Sequence, residues 1–351
     1  MPADVIAFAV AFLSTLVLTL PVRRLALRLG LVDQPGPRKV HFKPMPLLGG
    51  LAIYLGVVLG VLLVRPGPTA QIVGILAGAT LLAIVGILDD GGLLHHQIKL
   101  MAAMPIAALF LLASGIRAHL FSRFLAGPLG FALDVSLTIL WVTGITAAFS
   151  ILDHMDGLCA GIAAAAAGFF TIAATMTGQM MVRTLAIATL GAALGFLRWN
   201  FNPAKIFMGD GGAMFLGFLM AALSLKIRPD GGWEVAKWFV PLLILGVPIF
   251  DTALVSVSRA RRGLIPFTSP GKDHTAHRLS NLGLGARGAV LLLYALAILF
   301  GVAGLLVLRL KSSAGITLSG LLAVCGVIAI VLLENAPYDR QNKLHQSSPV
   351  P

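Results

Sequence analysis

Long apolar stretches occupy most of this sequence. A helix needs about 20 consecutive apolar residues to cross the hydrocarbon core of a bilayer. Eleven stretches approach that length, and they lie at about 5–22, 47–64, 70–88, 100–116, 131–152, 159–178, 182–198, 213–227, 238–257, 288–308 and 315–333. The sequence therefore predicts an all-α integral membrane protein, a polytopic bundle of about 11 transmembrane helices.

The composition excludes a soluble or disordered chain. Apolar residues make up 58% of the sequence and charged residues 11%, whereas soluble domains average about 45–50% and about 25%. The mean hydropathy is +0.94. Because no internal repeat divides the chain, we predict one polytopic membrane domain over residues 1–335 and a short cytoplasmic tail over residues 336–351.

The basic residues predict the orientation in the membrane. The amino-terminal head has no Lys or Arg, whereas the first apolar stretch leads into Arg23, Arg24 and Arg28. An outside amino terminus and an inside carboxyl terminus place the majority of the 26 Lys and Arg residues on the inside, as the positive-inside rule requires. The net charge of +12 therefore reflects topology, and we expect no nucleic-acid partner.

The few acidic residues are concentrated at the predicted inner ends of three apolar stretches. Asp89 and Asp90 occur in GILDDGG, Asp153 and Asp156 in LDHMDGL, and Asp210 in IFMGDGG. Carboxylates beside membrane-spanning segments are costly, and they usually serve a site or meet a partner. We therefore expect these five residues to converge on one cytoplasmic face that holds the catalytic loops.

The residue types around these acids indicate a magnesium and phosphate site. Carboxylate oxygens suit Mg²⁺, whereas two cysteines and a His95–His96 pair without H-E-x-x-H spacing argue against zinc. A metal ion beside cationic groups is the arrangement that phosphoryl transfer needs, here between a soluble donor and a lipid acceptor. The basic groups of the same face are Arg38, Lys39, His41, Lys43, His274, His277 and Arg278.

Five segments in this order resemble the motifs of the polyprenyl-phosphate N-acetylhexosamine-1-phosphate transferases, in the WecA-like branch of the MraY and WecA superfamily. They are GLVDQPGPRKVHFKPMPLLGG, GILDD, LDHMDGLCAG, RWNFNPAKIFMGDGG and GKDHTAHRL. The resemblance implies transfer of a sugar 1-phosphate, most often N-acetylglucosamine 1-phosphate, from a UDP-N-acetylhexosamine to undecaprenyl phosphate with release of UMP. It implies the first membrane step of cell-envelope polysaccharide synthesis, Mg²⁺ or a substituting Mn²⁺, a homodimer, and the bacterial cytoplasmic (inner) membrane.

The resemblance also implies roles for individual residues. The residues implied in catalysis are Asp89, Asp90, Asp153, His274 and His277. The metal ligands implied are Asp210 and Asp153, and the substrate contacts implied are Lys39, Lys43, Asp156, Asn200, Phe207 and Arg278. Within that last group, Asn200 and Phe207 correspond to the residues that hold the uracil.

Three other functions remain open on the sequence. One is an activity like that of the phospho-N-acetylmuramoyl-pentapeptide transferases. A second is a catalytically degenerate homologue that binds lipid phosphate or nucleotide, because Ala147 and Ser150 stand where the family has Asn ahead of Asp153. A third is an ion-coupled transporter, for which Asp251 within the ninth apolar stretch is the best residue.

Overall fold

A computed structural model describes residues 2–34, 44–64, 67, 69–94, 98–227, 238–264 and 271–336. In these ranges the chain is helical apart from loops and one two-stranded antiparallel pair, Val32–Asp33 with Met45–Pro46. Seven of the described helices are long and apolar enough to span a membrane. This confirms an all-α, multi-pass membrane protein, while the count of eleven spans and their orientation stay predictions.

Every apolar stretch of the sequence coincides with helix in the structure. The helices are α1 Pro2–Leu29, α2 Gly49–Val64, α3 Thr69–Asp90, α4 Met104–Ala113, α5 Pro128–Leu152, α6 Leu158–Met176, α7 Met180–Asn200, α8 Gly209–Lys226, α9 Phe239–Ile244, α10 Gly246–Arg261, α11 Thr275–Leu279, α12 Gly285–Arg309 and α13 Ser312–Glu334. Two π-helical segments, Lys99–Ala103 and Ser280–Leu284, precede α4 and α12, and Phe121–Arg123 is a 3₁₀ turn.

The ninth apolar stretch is divided into α9 and α10. The break falls at Leu245, three residues before Pro248. Proline has no N–H to donate to the carbonyl of Ile244, and its ring clashes with that carbonyl in a regular helix. One apolar stretch therefore becomes two shorter helices.

Helix α8 lies at the centre of the bundle. Its residues from Gly211 to Ser224 are all buried, and it packs against α2, α3, α5, α6 and α7. A helix that is apolar on every side is expected in the interior of a bundle. The amino-terminal end of α8 is therefore surrounded by the ends of its neighbours.

Glycines bring two of these neighbours unusually close to α8. A Cβ atom on Gly50 of α2 would lie 2.2 Å from the backbone nitrogen of Gly212, and one on Gly86 of α3 would lie 2.4 Å from the Cα of Gly211. Only residues without a side chain allow helix backbones to approach in this way. The contact at Gly86 places the carboxyl-terminal turn of α3 directly against the first turn of α8.

Large apolar side chains cover the outside of the bundle. On α13, Leu321, Val324 and Leu332 are all more than half exposed. Apolar patches on this scale are unusual in soluble proteins, so lipid or another protein must cover them.

Candidate active site

A lysine joins two carboxylates where α3 and α8 meet. The Nζ atom of Lys99 lies 2.7 Å from Oδ2 of Asp89 and 2.5 Å from Oδ2 of Asp210. Lys99 is the first residue of the π-helical segment before α4. From the sequence alone it is expected only to be one of the positive charges on the inner side of the membrane. The structure instead places its ammonium group between two predicted site residues.

Asp90 holds the first turn of α8. The backbone N–H of Asp210 donates to Oδ1 of Asp90 at 2.9 Å, and that of Gly211 donates to Oδ2 at 3.3 Å. The first N–H groups of a helix have no partner within it, and a carboxylate there also interacts favourably with the helix dipole. Asp90 therefore positions Asp210, and its predicted catalytic role stays a prediction.

Ser150 gives Asp210 a second hydrogen-bond donor. Its Oγ donates to Oδ1 of Asp210 at 2.7 Å, from the last turn of α5. Lys99 contacts the other carboxylate oxygen, so both oxygens of Asp210 are oriented. The serine that departs from the family pattern thus contacts the principal predicted metal ligand.

The site carries more negative charge than its lysine compensates. Burial, and secondarily the negative charges of Asp210, Asp90 and Asp156, raises the pKa of Asp153, at the end of α5, to about 8. Clustered carboxylates with a serine hydroxyl are hard oxygen donors of the kind that Mg²⁺ prefers. The residues present therefore fit a magnesium ion, with Asp210 and Asp153 as its predicted ligands.

Asp156 contacts the turn that follows α7. Its Oδ2 accepts hydrogen bonds from Nδ2 of Asn202 at 3.1 Å and from the backbone N–H of Ala204 at 3.0 Å. These contacts fix the loop that connects α7 to α8. The predicted contact of Asp156 with the nucleoside stays a prediction.

Asn200 and Phe207 lie at the two ends of the same loop. Asn200 accepts from the backbone N–H of Gly157 and donates to the carbonyl of Ile206, each at 3.0 Å. The backbone N–H of Phe207 donates to the carbonyl of Pro46 at 2.8 Å. The amide of Asn200 is thus used within the protein, while Phe207 is half-buried. Their predicted contacts with uracil stay predictions.

Three histidines and one aspartate form a cluster beside α5. The Nδ1 atom of His274 lies 2.9 Å from Oδ2 of Asp251, and the N–H of Thr275 donates to the other oxygen at 2.7 Å. The ring of His154 stacks on that of His274 with centroids 4.1 Å apart and lies 4.8 Å from that of His277. Asp251, the best residue for the transporter hypothesis, therefore contacts a predicted site histidine, and His154 joins the cluster without having been predicted.

Arg278 is completely buried beneath this cluster. Its guanidinium group donates to the carbonyl of Asp273, the hydroxyl of Ser258 and the carbonyl of Leu333, at 2.9, 2.8 and 2.6 Å, and pairs with Glu334 at 3.2 Å. Arg278 therefore fastens the segment of His277 to the end of α13. Its predicted contact with substrate stays a prediction, because the side chain has no exposed surface in this arrangement.

The same segment is held by a second buried ion pair. Asp273 contacts Nη2 of Arg259 at 2.9 Å and Nε at 3.0 Å, and it also pairs with Arg262. Burial opposes ionisation of Asp273, but the hydrogen bonds and charge of Arg259 outweigh it and lower the pKa to about 2. His274 is thereby anchored from both sides.

Lys99 and the backbone N–H of Asp210 join Asp89, Asp90 and Asp210, and Asp153 is near enough to Asp210, Asp90 and Asp156 for their charges to act on it. The predicted substrate contacts Lys39 and Lys43, together with His95 and His96, lie outside the described residues.

Comparison with known proteins identifies the family. A sequence profile of glycosyl transferase family 4 matches residues 72–228. The "Probable undecaprenyl-phosphate N-acetylglucosaminyl 1-phosphate transferase" of Bacillus subtilis is 37% identical over 310 residues, which cover 86% of this chain and 84% of that protein. The chain belongs to glycosyl transferase family 4. The segment that matches the family 4 profile contains all five acidic residues of the predicted site.

Other family 4 relatives have similar names. The decaprenyl-phosphate N-acetylglucosaminephosphotransferase of Mycobacterium tuberculosis H37Rv is 33% identical over 346 residues, covering 89% of this chain and 85% of that protein. The undecaprenyl-phosphate alpha-N-acetylglucosaminyl 1-phosphate transferase of Yersinia pestis is 29% identical over 313 residues, covering 85% and 83%.

Proposed function

We propose that the protein transfers N-acetylglucosamine 1-phosphate from UDP-N-acetylglucosamine to undecaprenyl phosphate, with release of UMP. The observation that carries this proposal is the pair of carboxylates, Asp89 and Asp210, bridged by Lys99 where two apolar helices end. Such a charged centre at a helix boundary suits one substrate from water and one from lipid. The names of the family 4 relatives support the same reaction.

The reaction exchanges one phosphorus–oxygen bond for another. An oxygen of the lipid phosphate attacks the phosphorus that bears the sugar, and a new P–O bond forms. The bond from that phosphorus to the bridging oxygen breaks, and UMP departs with the electron pair. A protein contributes to such a transfer mainly by positioning the groups and compensating charge.

In this proposal the carboxylate cluster binds the metal ion that compensates the negative charge of the diphosphate. Asp210 and Asp153 would hold a magnesium ion, or manganese in its place, and that ion would supply positive charge opposite the diphosphate. Lys99 adds a fixed positive charge, and Ser150 orients one oxygen of Asp210. Asp89 lies on the other side of Lys99, where it holds or deprotonates the acceptor phosphate.

The rest of the site face accounts for binding of the donor. Phe207 offers an aromatic face to the uracil, and stacking of this kind contributes about 1–3 kcal/mol in proteins that bind single-stranded nucleic acid. His274 and His277 lie beside the diphosphate, and the contact with Asp251 fixes the orientation of the His274 ring. Lys39 and Lys43 complete the donor contacts of this proposal.

The proposed topology places this face in the cytoplasm. Eleven spans with an outside amino terminus put the ends of α3, α5 and α8 on the side where nucleotide sugars are made. We propose one polytopic domain of this kind, assembled as a homodimer in the bacterial cytoplasmic membrane. Labelling of single cysteines introduced at Gly92 and Gly178 tests the orientation, since only the second should react with a reagent that does not cross the membrane.

Release of UMP by the purified protein tests the function. The full chain in detergent is supplied with undecaprenyl phosphate, Mg²⁺ and a panel of UDP-sugars that includes UDP-N-acetylmuramoyl-pentapeptide. We expect release with UDP-N-acetylglucosamine, its loss in Asp210→Asn, and its retention in the control Asp4→Asn at the far end of α1. Near-normal release by Asp210→Asn would remove that residue from the metal site.

The same assay separates the transferase from a homologue that only binds its ligands. If no UDP-sugar gives UMP release although the folded protein still binds nucleotide, the protein is the degenerate homologue. Restoring Asn at Ala147 and Ser150 then produces turnover. An active wild type whose turnover does not rise with these substitutions shows that the hydroxyl of Ser150 suffices.

A further inference from the structure

One nitrogen of the histidine cluster has no partner. Nε2 of His154 is buried and makes no hydrogen bond within the described part of the chain. Buried polar atoms in native proteins are nearly always paired, so an exception needs a reason. The Nδ1 atom of the same ring lies 3.1 Å from the carbonyl oxygen of Ile151, which only accepts hydrogen bonds. The neutral ring therefore carries its hydrogen on Nδ1, and Nε2 keeps a free lone pair.

This state of His154 is the one that binds metals. Nε2 faces no acceptor within the described residues to which a protonated ring would donate, so the neutral form fits this environment. Neutral imidazole is the form that coordinates a metal ion. Histidine ligands also commonly donate their other ring N–H to a backbone carbonyl, as Nδ1 does here.

Two further ligating side chains face His154 from distant parts of the sequence. One ligand atom from each of His154, His274 and Asp251 lies within 4.8 Å of the other two. Ligands of a tetrahedral zinc ion, with bonds of about 2.0–2.1 Å, are about 3.3 Å apart. Closure of the three groups by about 1.5 Å, through side-chain rotation, therefore gives a coordinating geometry. His274 and Asp251 are 5% and 2% exposed, so water competes little for them.

We propose that His154, His274 and Asp251 bind a divalent transition-metal ion of the zinc class, at a site distinct from the magnesium carboxylates. Two imidazoles and one carboxylate with an open fourth position form a donor set found in zinc proteins. Mg²⁺ prefers oxygen ligands and does not compete well for nitrogen. The two neighbouring clusters therefore select different metals by the chemistry of their donor atoms.

Metal content of the full-length protein tests this site. Protein in detergent is stripped with a chelator, given a few equivalents of Zn²⁺ in excess Mg²⁺, desalted, and analysed for zinc. We expect the wild type to retain one zinc ion per chain, and His154→Gln to weaken zinc binding by about 10–100-fold or more, as loss of a supporting contact alone does at other zinc sites. Co²⁺ in place of Zn²⁺ should give the visible absorption of a tetrahedral nitrogen and oxygen site, and this absorption should disappear in Asp251→Asn.

Two control variants separate this site from other metal-binding groups. His119→Gln removes a histidine from the loop between α4 and α5, and Asp210→Asn removes the principal magnesium carboxylate. Both should retain zinc as the wild type does. The proposal is overturned if the wild type retains none, or if His154→Gln retains as much as the wild type. If Asp251→Asn does not fold, the zinc content of His154→Gln alone decides the test. Because zinc content is measured without substrate, the result does not depend on whether the protein releases UMP.

Discussion

The ion pair at Asp273 supplies a prediction about how the histidine segment is held. Asp273 is 2% exposed, lies directly before His274, and contacts both Arg259 and Arg262. Asp273→Asn keeps the shape of the side chain but removes its charge. Arg259, which is 5% exposed, then remains buried without an anion.

The structure gives the size and the pH range of the effect. Lowering the pKa of Asp273 from 3.8 to about 2 corresponds to roughly 2 kcal/mol. Removing one partner of a buried ion pair costs about 3–5 kcal/mol, so the two estimates bracket a loss of about 2–5 kcal/mol. Because the folded-state pKa is depressed, this stabilisation is complete above pH 3.8 and is lost as the pH falls toward 2. The variant should therefore be destabilised equally at pH values of about 5 and about 8.

Thermal unfolding of the purified variants in detergent measures this loss. At about 2.1 cal/mol/K per residue, a chain of 351 residues shifts its midpoint by about 1.4 °C per kcal/mol, so we expect a fall of about 3–7 °C. The matched control is Arg261→Gln, which removes an exposed charge from the same end of α10. A midpoint equal to that of the control, or a difference that changes between the two pH values, would refute the buried ion pair as its cause.

The remaining predictions concern the carboxylate and donor sites. Gly86→Ala adds a methyl group 2.4 Å from the backbone of α8 and should abolish UMP release. The control Gly168→Ala, whose added methyl group meets nothing within 4 Å, should retain UMP release. Equal activity of the two variants would show that the close approach of α3 to α8 is not required. Because the pKa of Asp153 is about 8 and a metal ligand must be ionised, addition of Mg²⁺ at neutral pH should release about one proton, which calorimetry in buffers of different ionisation enthalpy detects. The same release from Asp153→Asn would assign the proton elsewhere. Phe207→Ala should raise the KM for the UDP-sugar more than it lowers kcat, and an equal effect on a donor that lacks the base would contradict stacking.

The helices were predictable from the sequence because an apolar stretch in lipid has few stable conformations other than a helix. A backbone in the hydrocarbon region must satisfy its own polar groups, and a helix does this within one segment. The division at Leu245 was not predicted, since Pro248 leaves the hydropathy of its stretch unchanged while removing one hydrogen-bond donor. Apolar length therefore predicts the existence of each helix better than its continuity.

The part of the candidate site that could be predicted consists of residues whose type is unusual at their position in the sequence. An aspartate beside an apolar stretch is conspicuous in any sequence, so the carboxylates were found. Lys99 and His154 were missed because each acquires its role from a partner more than 100 residues away. Ser150 was noticed only as a departure from the family pattern, and its contact with Asp210 could not be read from the sequence. The resemblance also transferred a role to Asn200 without showing that its amide holds two backbone groups.

The central position of α8 also has a consequence for how the protein is made. A chain emerges from the ribosome and enters the membrane from its amino terminus, so α1 to α7 are in place before α8 is complete. Until then the carboxylates of α3 lack the helix end that they hold, and the glycine surfaces of α2 and α3 face lipid or other helices. Insertion of this one segment both closes the core and assembles the charged centre. A nascent chain that stalls before residue 209 therefore has α1 to α7 but lacks Asp210 and the contacts that Lys99, Asp90 and Ser150 make with it.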